Sequence, residues 1–207
     1  MDAPDDEPER PIRAAWDLGD FDAAATLSLE LYGREVFGFL AARSPNHDTA
    51  ADIFGQFSED FWKTLPDFQW RCSLRTWAYK LARHAAHNYR RKERRSDAAQ
   101  SLSQLSRLSV LVDRVRTETC QHLKTEVKSR LQELREQLPP DDQTLLILRV
   151  DRGMSWRELA EVMWTEPTAP SEDDLKREAA KLRKRFQVAK DRLRELATGA
   201  GLLGDSE

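Results

Sequence analysis

The chain has 207 residues, 40% of them apolar and a third charged, with eight glycines and nine prolines. That is enough for one domain or two small ones with a modest core, and it excludes a chain that is disordered throughout. No apolar run approaches the ~20 residues that span a bilayer, and Cys72 and Cys120 form neither a disulfide framework nor a metal-ligand spacing.

The net charge of −3 hides a segregation. Asp2, Asp5, Asp6, Glu7, Glu9, Asp17, Asp20, Asp22 and Glu30 crowd the first thirty residues against Arg10 and Arg13. Residues 71–95 hold nine Lys and Arg against Glu93, and residues 176–194 hold nine against Glu178 and Asp191. Two basic blocks in an acidic chain predict two contacts with a polyanion. The N-terminus lacks the basic and apolar blocks of a signal peptide, so a soluble, cytoplasmic protein with reduced thiols is expected.

In chain order, residues 1–20, with Pro4, Pro8 and Pro11, predict an acidic flexible tail. From Phe21 the pattern is helical. Leu27, Leu31, Val36, Phe37, Phe39 and Leu40 fall on or near one face, and Ser44-Pro45-Asn46 ends the run. Asp48 is the candidate cap of a second helix, where Ile53, Phe54, Phe57, Phe61, Trp62 and Leu65 recur three or four apart up to Pro66. A loop with Phe68 and Trp70 follows. Ser73 then caps a helix with Leu74, Trp77, Ala78, Leu81 and Ala85 as its core stripe. Arg75, Tyr79, Lys80, Arg83, His87 and Arg90 project from its other side, and "RKERR", residues 91–95, extends the charge.

Residues 96–125, rich in Ser and Gln, predict a linker that is in part helical. Leu131, Leu134 and Leu138 then form a stripe that Pro139-Pro140 breaks. Asp141-Asp142 open a helix whose core face is Leu145, Leu146, Leu148 and Val150. Asp151-Arg152-Gly153 is a turn, and Ser155 with Glu158 is a capping box ahead of "WRELAEVM". After a loop from Thr165 to Ser171, acids at 172–174 start a long basic helix that ends near Gly199 and Gly201. With no strand signal, the chain reads all-α: two small helical domains, 21–95 and 126–200, with a linker between them and a short tail at 201–207.

The last three helices have the outline of a helix-turn-helix, with Lys176, Arg177, Lys181, Arg183, Lys184, Arg185 and Lys190 on the recognition helix. Such a helix reads base edges and phosphates in a major groove. The other reading is a solvated face of an ordinary bundle, and the loop before the helix is longer than a tight turn. In the N-terminal domain, Phe68, Trp70, Trp77 and Tyr79 lie among Arg71, Arg75, Lys80 and Arg83. Rings between cations suit single-stranded nucleic acid, where bases stack and cations follow phosphates, although Trp77 and Phe68 also fit a core. His84 and His87 stand three apart with no third ligand near, so no metal is expected. No phosphate loop, nucleophile motif or paired-carboxylate context supports an enzyme, and no cofactor is implied.

"AADIFGQFSEDFWKTLPDFQWRCSLRTWAYKLARHAAHNYRRKERR" resembles region two of bacterial sigma factors, in particular the extracytoplasmic-function group of the sigma-70 family. "LPPDDQTLLILRVDRGMSWRELAEVM" with "LRKRFQVAKDRLREL" resembles their region four. Together the resemblances span roughly 25–95 and 128–197. They imply a transcription-initiation subunit with core RNA polymerase and promoter DNA as partners, and often an anti-sigma factor. On this sequence, Asp52, Ile53, Gln56 and Phe57 would dock on polymerase. The loop from Phe68 to Ser73 would capture a base flipped from the minus-ten element. Arg71, Arg75, Tyr79, Lys80, Arg83, His87, Arg90 and Arg91 would hold that element, and the last helix would read the minus-thirty-five element. The usual Asp-Leu-x-Gln-Glu run is here Asp52-Ile53-Phe54-Gly55-Gln56, which departs at Gly55 and Gln56. A stand-alone helix-turn-helix regulator and a sigma-like protein that binds polymerase without reading promoters are the alternatives.

Overall fold

The computed structural model describes residues 8–93, 110, 113–115, 126–166 and 168–202. No strand occurs among them, as the all-α reading requires. The chain divides into two compact units, Met1–His122 and Leu123–Glu207.

The first unit holds α1 (Arg10–Asp17), α2 (Phe21–Ala41), α3 (His47–Thr64), a 3-10 turn (Leu65–Asp67) and α4 (Leu74–Glu93). Helix α1 corrects the expectation of a tail over residues 1–20; residues 1–7 lie outside the described residues. The acid count concealed an amphipathic turn. Ile12 is 1% exposed, and Trp16, four residues on, donates its indole N–H to the Leu65 carbonyl at 3.0 Å. Gly19, at φ +75°, stops α1: its N–H bonds the Trp16 carbonyl and that of Asp20 bonds the Ala15 carbonyl. Asp20 then caps α2 through the Ala23 N–H at 3.0 Å. For α3 the cap is Asn46, with extended backbone and its side chain on the Thr49 N–H at 2.8 Å, instead of Asp48, which stands in the first turn.

Helix α1 packs on α2, α2 on α3, and α4 against both α2 and α3. The core is aromatic. Phe37 meets Phe54 edge to face at 5.3 Å, and Phe39 meets Tyr79 likewise at 5.3 Å. On α4 the buried stripe is Leu74, Ala78, Tyr79, Ala82, Ala85 and Ala86, a rotation away from the predicted Trp77 and Leu81, which are half-buried. The predicted linker lies mostly outside the described residues. Its described part is helical, and Val115 is buried over Gly33, where an added Cβ would stand 3.4 Å from a Val115 methyl. Arg114 pairs with Glu30 at 3.0 Å. This segment therefore belongs to the first unit.

The second unit holds α5 (Glu126–Glu136), α6 (Pro140–Leu146) running into a π turn (Ile147–Asp151), α7 (Trp156–Met163) and α8 (Glu172–Gly199). Helix α8 is the spine, touched by α5, α6 and α7. Leu145, Ile147, Leu148, Met154, Leu159 and Val162 are fully buried. Val150, placed in the core by the sequence, is 60% exposed at the end of the π turn. The capping box of Ser155 and Glu158 is present, and a second one, Ser171 with Asp174, starts α8. Gly201, at φ +68°, closes α8, with the Leu202 N–H on the Ala197 carbonyl. Among the described residues no helix is long and apolar enough to cross a membrane.

Candidate nucleic-acid interface

The first unit presents a loop and a helix face. Helix α4 starts cleanly because its early N–H groups find acceptors. Ser73 Oγ accepts from the Thr76 N–H at 3.1 Å, as the sequence predicts for a cap. The Leu74 and Arg75 N–H groups donate to the Glu9 carboxylate at 3.3 and 3.2 Å, and the Tyr32 hydroxyl donates to it at 2.6 Å. Glu9 is 4% exposed. A buried carboxylate is tolerated there because the positive end of α4 and three donors surround it. Burial, then Glu9, raises the Tyr32 pKa well above its ordinary value.

Lys80, His84, His87 and Arg91 follow one another at helical spacing along one side of α4. His84, His87 and Arg91 are exposed, while Lys80, Arg83 and Arg90 are half-buried. Arg71 is exposed in the loop. His84 is exposed at its edge but partly desolvated against α4, and that desolvation, then Arg83, Lys80 and His87, lowers its pKa. In the sequence His84 reads only as a metal ligand; its signal as a contact residue is the four-residue step from Lys80. Among the described residues no group of three His, Cys, Asp or Glu is placed to hold a metal ion.

Several predicted contact residues belong instead to the domain interior. Tyr79 is fully buried against Phe39. Phe68 is 6% exposed and stacks on Trp77 at 4.7 Å. Arg75 is held by Glu35, with Nε 3.1 and 3.2 Å from its two carboxylate oxygens. Arg90 donates to the Arg43 carbonyl at 2.9 Å and ties α4 to the end of α2. In the set predicted to meet polymerase, Ile53 and Phe57 are 3% and 1% exposed, so they are core; Asp52 and Gln56 are on the surface, with Gln56 donating to Asp60 at 2.9 Å.

Trp70 is unusual. It has φ +53°, a left-handed backbone that costs a non-glycine residue roughly 1–2 kcal/mol. Its ring lies 4.9 Å from Phe68 and 6.1 Å, edge to face, from Trp16, with the Arg13 guanidinium 4.4 Å from its centroid. Its indole nitrogen is buried and meets no acceptor among the described residues. Strain of this kind, held in place by surrounding contacts, collects at functional loops.

The second unit exposes its cations. Lys176, Arg177 and Lys181 are 75%, 70% and 75% exposed at the side chain, each beside an acid three residues earlier on α8. Arg183 and Lys184 are exposed, and Lys190 is half-buried. Arg185 reaches Asp142 and, at 3.8 Å, Asp141, so it also fastens α8 to the start of α6. Arg183 lies over Trp156 at 5.5 Å, and Arg149 lies over the same ring at 4.9 Å. A cleft of about 210 Å³ between α7 and the start of α8 is lined by Arg157, Glu172, Lys176 and Arg183. Arg157 bonds both Glu172 oxygens at 2.6 Å, which lowers the Glu172 pKa. The α8 cap holds the Asp174 pKa down at about 2, first through the Ser171 hydroxyl and then through its N–H.

The two units thus present separate basic surfaces: a cationic helix face beside an aromatic loop in the first, and a basic helix following a capped short helix in the second. Residues 29–96 match the family described as Sigma-70 region 2. Over 134 residues the chain is 29% identical to RNA polymerase sigma factor YlaC of Bacillus subtilis (strain 168), covering 64% of this chain and 75% of that one. Both similarities are to sigma factors, in agreement with the resemblance read from the motifs.

Proposed function

We propose that the protein acts in the cytoplasm as a promoter-specificity subunit of bacterial RNA polymerase. The first unit would hold and open the minus-ten element, and the second would read the minus-thirty-five element. The observation that carries this reading is the pair of cationic surfaces on separate units, one beside a strained tryptophan loop and one on an exposed helix. Lys80, His84, His87, Arg91 and Arg71 would follow the opened strand while Trp70 stacks on a flipped base. Such stacking offsets the few kcal/mol that flipping costs. The exposed side chains of α8 from Lys176 to Lys190 would enter the major groove. Asp52 and Gln56 are the surface residues left to meet polymerase. The anti-sigma partner implied by the resemblance belongs to the same proposal, as a protein that occludes one of these faces.

Run-off transcription with purified bacterial core polymerase on genomic promoter fragments tests it. Specific starts that depend on the protein are expected. Binding to core without starts would favour the polymerase-binding alternative, and binding to duplex DNA alone would favour the stand-alone regulator.

A further inference from the structure

The segment from the 3-10 turn to the start of α4 is fixed from outside at three points, all by residues 9–16. At its start, the Leu65 carbonyl accepts from Trp16 Nε1 at 3.0 Å. At its end, the Leu74 and Arg75 N–H groups donate to Glu9 at 3.3 and 3.2 Å. In between, Arg13 and Trp16 enclose the ring of Trp70, the one described non-glycine residue with positive φ. Left-handed backbone at a bulky residue persists only where its surroundings over-determine it. Here those surroundings are Phe68 in the loop itself and, far from it in sequence, Arg13 and Trp16 of α1.

We infer that residues 9–16 are part of the strand-capture site, with Arg13 as a positioning residue that holds Trp70 in the geometry that receives a base. The inference rests on the single-strand reading of the loop given above. Arg13 is the informative member. Its side chain is about half exposed and pairs with Asp17 at 3.2 Å on its own helix, so it adds little to the core. Its guanidinium on the Trp70 ring is the contact that acts on the loop. Glu9 and Trp16 set the two ends of the same loop, but they are also anchors of the fold.

The test uses the full chain with bacterial core polymerase and a promoter from the run-off assay, carrying 2-aminopurine in the opened strand. Opening rates are compared for the unsubstituted chain, Arg13→Ala, Arg13→Lys, Trp70→Ala and the double variant Arg13→Ala/Trp70→Ala. Duplex affinity and thermal melting are followed alongside. Arg13→Ala is expected to slow opening by about two- to five-fold, the range of an exposed cation–aromatic contact. Melting and duplex affinity should not move, Arg13→Lys should recover part of the rate, and the substitution should have no further effect once Trp70 is alanine. A slow Trp70→Ala beside a normal Arg13→Ala overturns the positioning role and leaves the strand-capture reading standing. An equal slowing from Arg13→Ala with and without Trp70 overturns it too, because Arg13 would then be touching phosphate by itself. A normal Trp70→Ala overturns both.

Discussion

The two basic blocks hold nine Lys and Arg each but use them differently. In α4 the positive side chains and aromatics are woven into the domain: Arg75 into Glu35, Arg90 into the end of α2, Tyr79 into the Phe core. In α8 they stand on the surface beside acids on the same helix, at exposures where such pairs contribute little. The first face therefore stands on a rigid frame: Arg75, Arg90 and Tyr79 fix α4, and Phe68, Trp16 and Arg13 surround Trp70. The second is adjustable, with long side chains able to exchange an acid for a phosphate. A rigid face suits a flipped base, which needs a shaped site; an adjustable one suits tracking a duplex backbone.

The largest expected effect separates the faces by stability. Tyr79→Ala should destabilise the first unit by about 3–5 kcal/mol, the usual cost of emptying a buried aromatic site. Lys184→Ala on α8 should change stability by less than ~0.5 kcal/mol. Denaturant melts of the full chain check this. A Tyr79→Ala chain that melts normally but fails on DNA would return Tyr79 to the contact face and erase the contrast.

Next in size is the Arg75–Glu35 pair, whose side chains are 26% and 25% exposed. Glu35→Ala should cost about 1–2 kcal/mol, less than a fully buried charge left alone. It should also reduce promoter opening, because Arg75 sits at the exit of the Trp70 loop. Slower opening at unchanged stability would mean that Glu35 positions Arg75 for DNA and that Arg75 belongs in the contact set after all.

On α8 the expected signature is ionic. Lys181→Ala should weaken DNA binding alike on all sequences and lower the slope of log affinity against log salt by about 1, the share of a single phosphate. Arg185→Ala should differ, since Arg185 also bonds Asp141 and Asp142. Removing its side chain should loosen the joint between α6 and α8 as well as alter promoter preference. Identical salt slopes and melting for the two variants would contradict the distinction.

These contrasts also mark what the sequence could carry. Helix positions, the Ser155 capping box and the region-two resemblance are legible because they depend on short-range spacing and side-chain type. Tyr79 and Phe68 are misplaced by the sequence because an aromatic between arginines looks the same whether it faces solvent or core. The rotation of the α4 stripe toward Ala82 and Ala86 decides it, and alanines give a weak hydrophobic signal. Ile53 and Phe57 fall to polymerase through the family pattern, although their own spacing with Phe54 and Phe61 already marks them as core. Helix α1 is hidden because six acids before residue 18 outweigh Ile12 and Trp16 in a reading by composition. The Glu9 cap on α4 bridges 65 residues, beyond the reach of any local pattern.

The smallest expected effect concerns protons. Partial desolvation and the neighbouring cations hold His84 below its ordinary 6.5, which favours the uncharged imidazole at neutral pH. Between the lowered value and 6.5 the folded protein binds fewer protons than the unfolded chain. Stability therefore falls as pH drops through that window, and the decrease is complete below the folded value. A phosphate on this face would act in the opposite sense, favouring the imidazolium and raising the pKa in the complex. Binding of melted-strand DNA should then take up a fraction of a proton, and affinity should rise as pH falls from neutral. Calorimetry in two buffers of different ionisation enthalpy measures the uptake, and His84→Gln should abolish it. Equal heats in both buffers for the unsubstituted protein would place the strand elsewhere on α4, and the interface would then be drawn through Lys80, His87 and Arg91 without the imidazole between them.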